Sequence, residues 1–161
     1  MMSIRIGKPK RALRFALRLP ISLYHAGLGF LLDHRFLLLT HRGRKSGKLY
    51  ETVLEVVVYD RATNTGYVVS GWGNKADWYR NLEVESAVRV QMGRQDYAPV
   101  HHFLTQEEAV RVWTSFRHKH PVEERLALRL FSRPGRTYKN AADRRKEFLS
   151  DVLMVSFRPK G

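Results

Sequence analysis

The stretch that most restricts the fold is Thr52-Val53-Leu54-Glu55-Val56-Val57-Val58-Tyr59. Its β-branched residues run too continuously for a sheet with one wet face, so the strand they form is expected to be buried on both sides. Phe36-Leu37-Leu38-Leu39-Thr40 precedes it, and Tyr67-Val68-Val69 follows across a turn at residues 60–66. Residues 87–92 alternate as a further strand. Gly93-Arg94 reads as a hairpin, and residues 97–104 read as its return strand. A closing strand is expected over residues 151–157.

Helical signals frame these strands. Thr105-Gln106-Glu107-Glu108 is a capping box, which opens a helix running to about Lys119 and ending at Pro121. Residues 122–131 read as helix, Pro134-Gly135 breaks the chain, and residues 141–149 read as a last helix. A shorter helix starts near Trp78, with Asp77 as its expected cap. With 161 residues, no internal repeat and no low-complexity linker, residues 1–161 read as a single α+β domain.

Residues 1–35 form a basic extension with no acidic residue before Asp33. Arg11, Arg14 and Arg18 share one face of an amphipathic helix whose other side carries Leu13, Ala16 and Leu17. Pro20 ends or kinks it, and residues 21–32 form a second, more apolar piece. The apolar run is too short to span a bilayer and lacks a leader's cleavage site. Two readings remain: a helix lying on an anionic membrane surface, or one packed across the mouth of the sheet with its arginines solvated.

Lys and Arg number 29 against 15 Asp and Glu, a net charge of +14. So basic a surface suits nucleic acid, anionic lipid or an acidic small molecule. No recognition helix, aromatic RNA-binding strand or zinc finger accompanies the charge, which leaves nucleic acid the weakest of the three. The chain has no cysteine, which excludes disulfides and thiolate chemistry and is compatible with the cytoplasm. His101 and His102 point to opposite faces of a strand, and His118 and His120 are poorly spaced on a helix, so no metal site is expected.

The concentrated chemistry lies in Arg42-Gly43-Arg44-Lys45-Ser46-Gly47-Lys48. Four cations stand beside glycines that allow positive φ, so the turn can gather amides and charges around one anion. A solvated hairpin turn is the plainer alternative. Downstream, Ser70-Gly71-Trp72-Gly73 leads into the helix near Trp78, whose mouth offers a second place for negative charge. Trp72, Trp78 and Tyr79 supply flat surfaces beside it.

Gly43-Arg44-Lys45-Ser46-Gly47, the aliphatic strand, and Trp78-Tyr79-Arg80-Asn81-Leu82 together resemble the deazaflavin-dependent nitroreductase family, across residues 30–104. The resemblance implies a split β-barrel of the flavin-binding type with flanking helices, and coenzyme F420 as hydride carrier. It implies that Arg44, Lys45 and Ser46 hold the phosphate and acidic tail. Tyr50, Thr52, Val53 and Leu54 would line the groove, Ser70 and Gly71 would sit by the ring, and Asp77, Trp78, Tyr79 and Asn81 would complete the cradle. Trp72 is expected to wall the substrate side, and Ser70 is the single catalytic candidate.

The chain departs from the family pattern in two places. Tyr50-Glu51-Thr52-Val53-Leu54 stands where a basic residue and an Asn-Pro-Leu run are expected. Gly71-Trp72 replaces a lysine, for which Lys75 is a possible substitute. The implied substrate is a small apolar electrophile of nitro, quinone or enone type. FMN in place of F420, or a basic barrel that binds single-stranded nucleic acid or an anionic membrane, are the alternatives. A cytoplasmic enzyme is the expected setting, with residues 1–35 as the segment that would rest on the inner membrane face.

Overall fold

Only Ala98 separates strands β5 (Gln95–Tyr97) and β6 (Pro99–Phe103), yet these two are the opposite edges of one sheet. The other strands are β1 (Phe36–Arg42), β2 (Leu49–Asp60), β3 (Thr65–Val69), β4 (Arg89–Met92) and β7 (Met154–Pro159), in the order β5-β4-β1-β2-β3-β7-β6. All pairings are antiparallel. The covalent link between the edges makes the sheet curl into a nearly closed, split β-barrel. This computed structural model describes residues 19–132 and 135–161.

The single return strand expected over residues 97–104 is corrected here. β5 pairs with β4, whereas β6 pairs with β7. Pro99 has no N–H with which to continue a ladder, and at that break the chain crosses from one edge to the other.

β2 serves two layers. Leu54 and Val56 enter the barrel core with Leu37, Val68, Met92 and Phe157, while Val57 and Val58 pack outward beneath the helices. A register shift between Val56 and Val58 explains how two consecutive valines reach the same layer. Burial on both sides holds for this half of the strand; Leu49, Tyr50 and Glu51 at its start are exposed.

Five helices lie among the described residues: α1 (Leu19–His25), α2 (Asp77–Leu82), α3 (Gln106–Lys119), α4 (Pro121–Leu130) and α5 (Ala141–Asp151). The basic helix expected around Arg11, Arg14 and Arg18 lies outside the described residues. The apolar piece expected over residues 21–32 is divided into α1 and a 3₁₀ turn over Gly29–Leu32, with Gly27 between them at φ 72°. Tyr24 anchors it by donating to the Phe36 carbonyl at 2.9 Å, and burial pushes that phenol up to about 12.

Helices α3, α4 and α5 cover the outer face of the barrel through Trp113, Phe116, Leu128 and Phe148. Thr105 and Glu108 form the anticipated capping box. Pro121 stands in the first turn of α4, where its missing N–H costs nothing.

Candidate functional site

The basic turn joins β1 to β2 and is held closed from within. Gly43 N donates to the Lys48 carbonyl at 2.8 Å, and Gly47 N donates to the Gly43 carbonyl at 2.8 Å. Lys48 N donates to Ser46 Oγ, and Arg42 Nη1 donates to the Gly47 carbonyl at 2.8 Å. Arg42 also pairs with Glu85 at 3.1 Å, so its charge is committed. Of the two turn glycines only Gly47 takes positive φ, at 67°. Gly43 serves close approach instead: a Cβ there would stand 2.6 Å from both Ser46 Oγ and the Tyr50 ring.

The turn is fastened to α2 by Arg44. Its guanidinium reaches Asp77 Oδ1 at 3.1 Å through both Nη atoms and Asn81 Oδ1 at 2.9 Å, while its backbone N donates to the same Asn81 oxygen at 3.1 Å. Asp77 does not cap α2, contrary to the expectation from sequence. The cap position belongs to Ala76 and carries no side-chain bond; Asp77 is the first helical residue and its carboxylate faces Arg44. The two regions therefore meet, and they share one cavity.

Beneath the turn lies His41, buried and absent from the sequence-based candidates. Its Nδ1 accepts from Asn81 Nδ2 at 2.9 Å, and its Nε2 lies 3.2 Å from Thr52 Oγ1. Burial lowers its pKa, and the nearby Asp77 charge only partly opposes that. Leu37, Leu39 and His41 alternate onto one face of β1, and that period of two is the signal that could have found it.

The cavity between turn and helix has a volume of about 760 Å³, within the range of roughly 300–1,000 Å³ common for small-molecule sites. Of the expected residues it gathers Arg44, Lys45, Ser46, Tyr50, Thr52, Trp72, Lys75, Asp77, Trp78 and Asn81. It does not bring Val53, Leu54, Ser70, Gly71 or Tyr79 to its surface. Leu54 and Tyr79 belong to the barrel core, where Tyr79 meets the Phe103 ring edge-on at 4.9 Å. Ser70 is buried, and its hydroxyl donates to the Gly73 carbonyl at 2.7 Å, so it closes the loop that carries Trp72.

Two kinds of surface meet in this cavity. Among the described residues, Lys45 and Lys75 have no carboxylate partner, and the amides of Lys45 and Ser46 have no acceptor. Tyr50, Trp72 and Trp78 supply aromatic wall, with the Tyr50 hydroxyl 3.1 Å from Ser46 Oγ. Free donors and cations beside flat rings suit a molecule that combines a planar ring system with an anionic tail. The residues present thus fit a deazaflavin coenzyme.

The model of the F420H(2)-dependent quinone reductase family matches residues 24–128. Among solved structures, an F420-H2 dependent reductase (FDR-A) is similar at 20% identity and a TM-score of 0.52, covering 79% of this chain and 96% of its own. A chain described as a domain-swapped dimer is similar at 19% identity and a TM-score of 0.52, covering 94% and 100%. Both likenesses show the split-barrel fold. No curated protein matches the chain.

Proposed function

The chain belongs to the F420H2-dependent quinone reductase family, and from that premise we propose how its site holds the coenzyme and what it reduces. It is an F420-dependent oxidoreductase. When bound, reduced F420 supplies a hydride, so the protein's own tasks are binding, orientation and exclusion of water.

Lys45, Lys75, the Ser46 hydroxyl and the amides of Lys45 and Ser46 hold the phosphate and acidic end. Arg44 acts one step back: its fork is committed to Asp77 and Asn81, so it sets the distance between turn and helix. Tyr50, Thr52 and Trp78 flank the ring, and the half-exposed Trp72 walls the side where substrate enters. Ser70 and Gly71 shape that loop from behind, and Val53, Leu54 and Tyr79 support the wall from the core.

The substrate we favour is a quinone, ahead of nitroaromatic compounds and enones of similar electrophilicity. A planar, apolar acceptor matches the aromatic lining. The chain's lack of cysteine is compatible with a cytoplasmic setting, and the basic residues 1–35 support contact with an anionic membrane face.

The observation that carries the reading is the sharing of one cavity by unpaired cations and aromatic walls. Titration with F420 and with FMN, followed by fluorescence, tests it. F420 is expected to be quenched at micromolar protein, with FMN inert. Oxidation of F420H2 is then compared with a soluble quinone, a nitroarene and an enone, and fastest turnover is expected with the quinone. Binding of FMN without F420 would overturn the cofactor arrangement.

A further inference from the structure

Helix α4 has two apolar faces, and among the described residues only one of them is covered. Leu128 and the carboxylate-bearing Glu124 face the barrel layer and are almost fully buried. Val122, Leu126 and Leu130 recur every four residues, so they lie along one side of the helix. They are 72%, 58% and 61% exposed, among the most exposed large apolar residues described. Isolated surface leucines need no explanation, but a three-residue stripe along a whole helix does.

Between the stripe and the buried face stand Arg125 and Arg129. Together with Arg144, Tyr138 and Asn140 they line a second cavity, of about 230 Å³, separate from the cofactor site. No carboxylate among the described residues lines it. Among the described residues none of these three arginines has an acidic partner, and Arg144 lies over the Tyr138 ring at 4.9 Å. Arg144 Nε is buried with no hydrogen-bond partner, so the group's outer Nη atoms are the ones left to face a ligand. On the far side of the stripe stands Glu123, 3.8 Å from His120, a single carboxylate against the three guanidinium groups of Arg125, Arg129 and Arg144.

We propose that the exposed side of α4 is a docking surface for an anionic phospholipid bilayer, with the Arg125/Arg129/Arg144 pocket taking a headgroup phosphate. The pairing of an apolar stripe with adjacent arginines is the pattern of a helix lying in the headgroup plane. Arginine forks match phosphate oxygens, and the net charge of +14 supplies the long-range attraction to an anionic surface. The surface is distinct from residues 1–35, and the proposal is independent of which electron acceptor the enzyme uses.

The full-length protein is mixed with phosphatidylcholine vesicles and with vesicles of phosphatidylcholine and phosphatidylglycerol, and the bound fraction is read by sedimentation. Binding is expected to the anionic vesicles, weakened by salt. Leu126→Gln/Leu130→Gln and Arg125→Gln/Arg129→Gln are each expected to lower it about tenfold. Val84→Gln, at another exposed apolar residue, is expected to leave it unchanged. F420 binding checks that each variant is folded.

Double variants that bind vesicles like the parent would overturn the proposal. So would binding of inorganic phosphate that Arg125→Gln/Arg129→Gln removes without changing vesicle binding, because the pocket would then serve a soluble anion. A dimer dissociated by Leu126→Gln/Leu130→Gln with vesicle binding intact would assign the stripe to a second copy instead.

Discussion

Asn81 Nδ2 lies 2.9 Å from His41 Nδ1, and this contact fixes the orientation of the amide. An amide nitrogen can only donate, so Nδ1 must be the unprotonated nitrogen of His41, and Nε2 carries the proton toward Thr52. The Asn81 oxygen then faces the turn, where it accepts from Arg44 N and Arg44 Nη1. A neutral buried imidazole thereby orients the group that anchors the basic turn. Protonation at Nδ1 would set two donors against each other.

That arrangement gives stability a defined pH dependence. The pKa of His41 is lowered in the folded protein, chiefly by burial, from an ordinary value of 6.5. Below that value the unfolded chain takes up a proton that the folded chain refuses, so stability falls as pH drops from about 6.5 toward the depressed pKa. His101 is lowered by burial as well, so the slope has two contributors. Thermal melts of the parent and of His41→Gln between neutral and mildly acid pH separate them. The variant is expected to show a shallower slope, and an unchanged slope would remove His41 from the account.

The lysines of the turn are not equivalent. Lys45 lines the cofactor cavity, as does Lys75 from the 3₁₀ turn before α2, whereas Lys48 does not. Lys45→Ala and Lys75→Ala are each expected to raise the Kd for F420 roughly fivefold, equivalent to about 1 kcal/mol. The effect should shrink as salt is added, because both ammonium groups are exposed. Lys48→Ala is expected to change little. Equal losses from all three would mean that the turn acts only through its overall field.

Gly43 tests the turn by shape, without a change of charge. A methyl group there would meet the Tyr50 ring and Ser46 Oγ at 2.6 Å. Tyr50 is exposed enough to swing away, so Gly43→Ala is expected to cost no more than about 1 kcal/mol of stability. The displaced ring should nevertheless raise the Kd for F420 several-fold. Denaturant melts and fluorescence titration read the two quantities, and undisturbed binding would show that Tyr50 is no part of the ring's wall.

The residue patterns reveal some of these relationships and hide others. The burial of β2 on both sides is visible in Val56-Val57-Val58, and the capping box at Thr105 and Glu108 is spelled out locally. The change of edge at Ala98-Pro99 is hidden, because residues on both sides of it continue an acceptable strand and partners are chosen at long range. The motif containing Arg44 is conspicuous, but its commitment to Asp77 joins residues 33 positions apart, which spacing alone does not report. Asp77 looks like a cap because Asp often caps; here the nearby guanidinium competes for the carboxylate and wins. His41 escapes notice because it ends a run of leucines, although its place in the alternation marks it as inward.

Beneath the proposed lipid-facing helix, Glu124 joins α3, α4 and α5. It is 1% exposed, and it accepts from Trp113 Nε1 at 3.3 Å, Arg145 Nε at 2.5 Å and Arg145 Nη2 at 3.0 Å. Burial works to raise its pKa, but the bonds from Arg145 and Trp113 outweigh burial and hold the carboxyl below its ordinary value. Arg145→Leu leaves that carboxylate buried with only the indole N–H, which is expected to cost about 3–5 kcal/mol at neutral pH. The cost should diminish in acid, where the stranded carboxyl takes up a proton. Glu124→Leu/Arg145→Leu removes both charges and leaves only the Trp113 N–H unsatisfied, a loss of about 1–3 kcal/mol. The double variant is therefore expected to be more stable than the Arg145→Leu single variant in urea melts at pH 7. If the double variant instead loses the sum of what Arg145→Leu and Glu124→Leu lose singly, the pair is not coupled and the three helices are held by Trp113, Leu128 and Phe148.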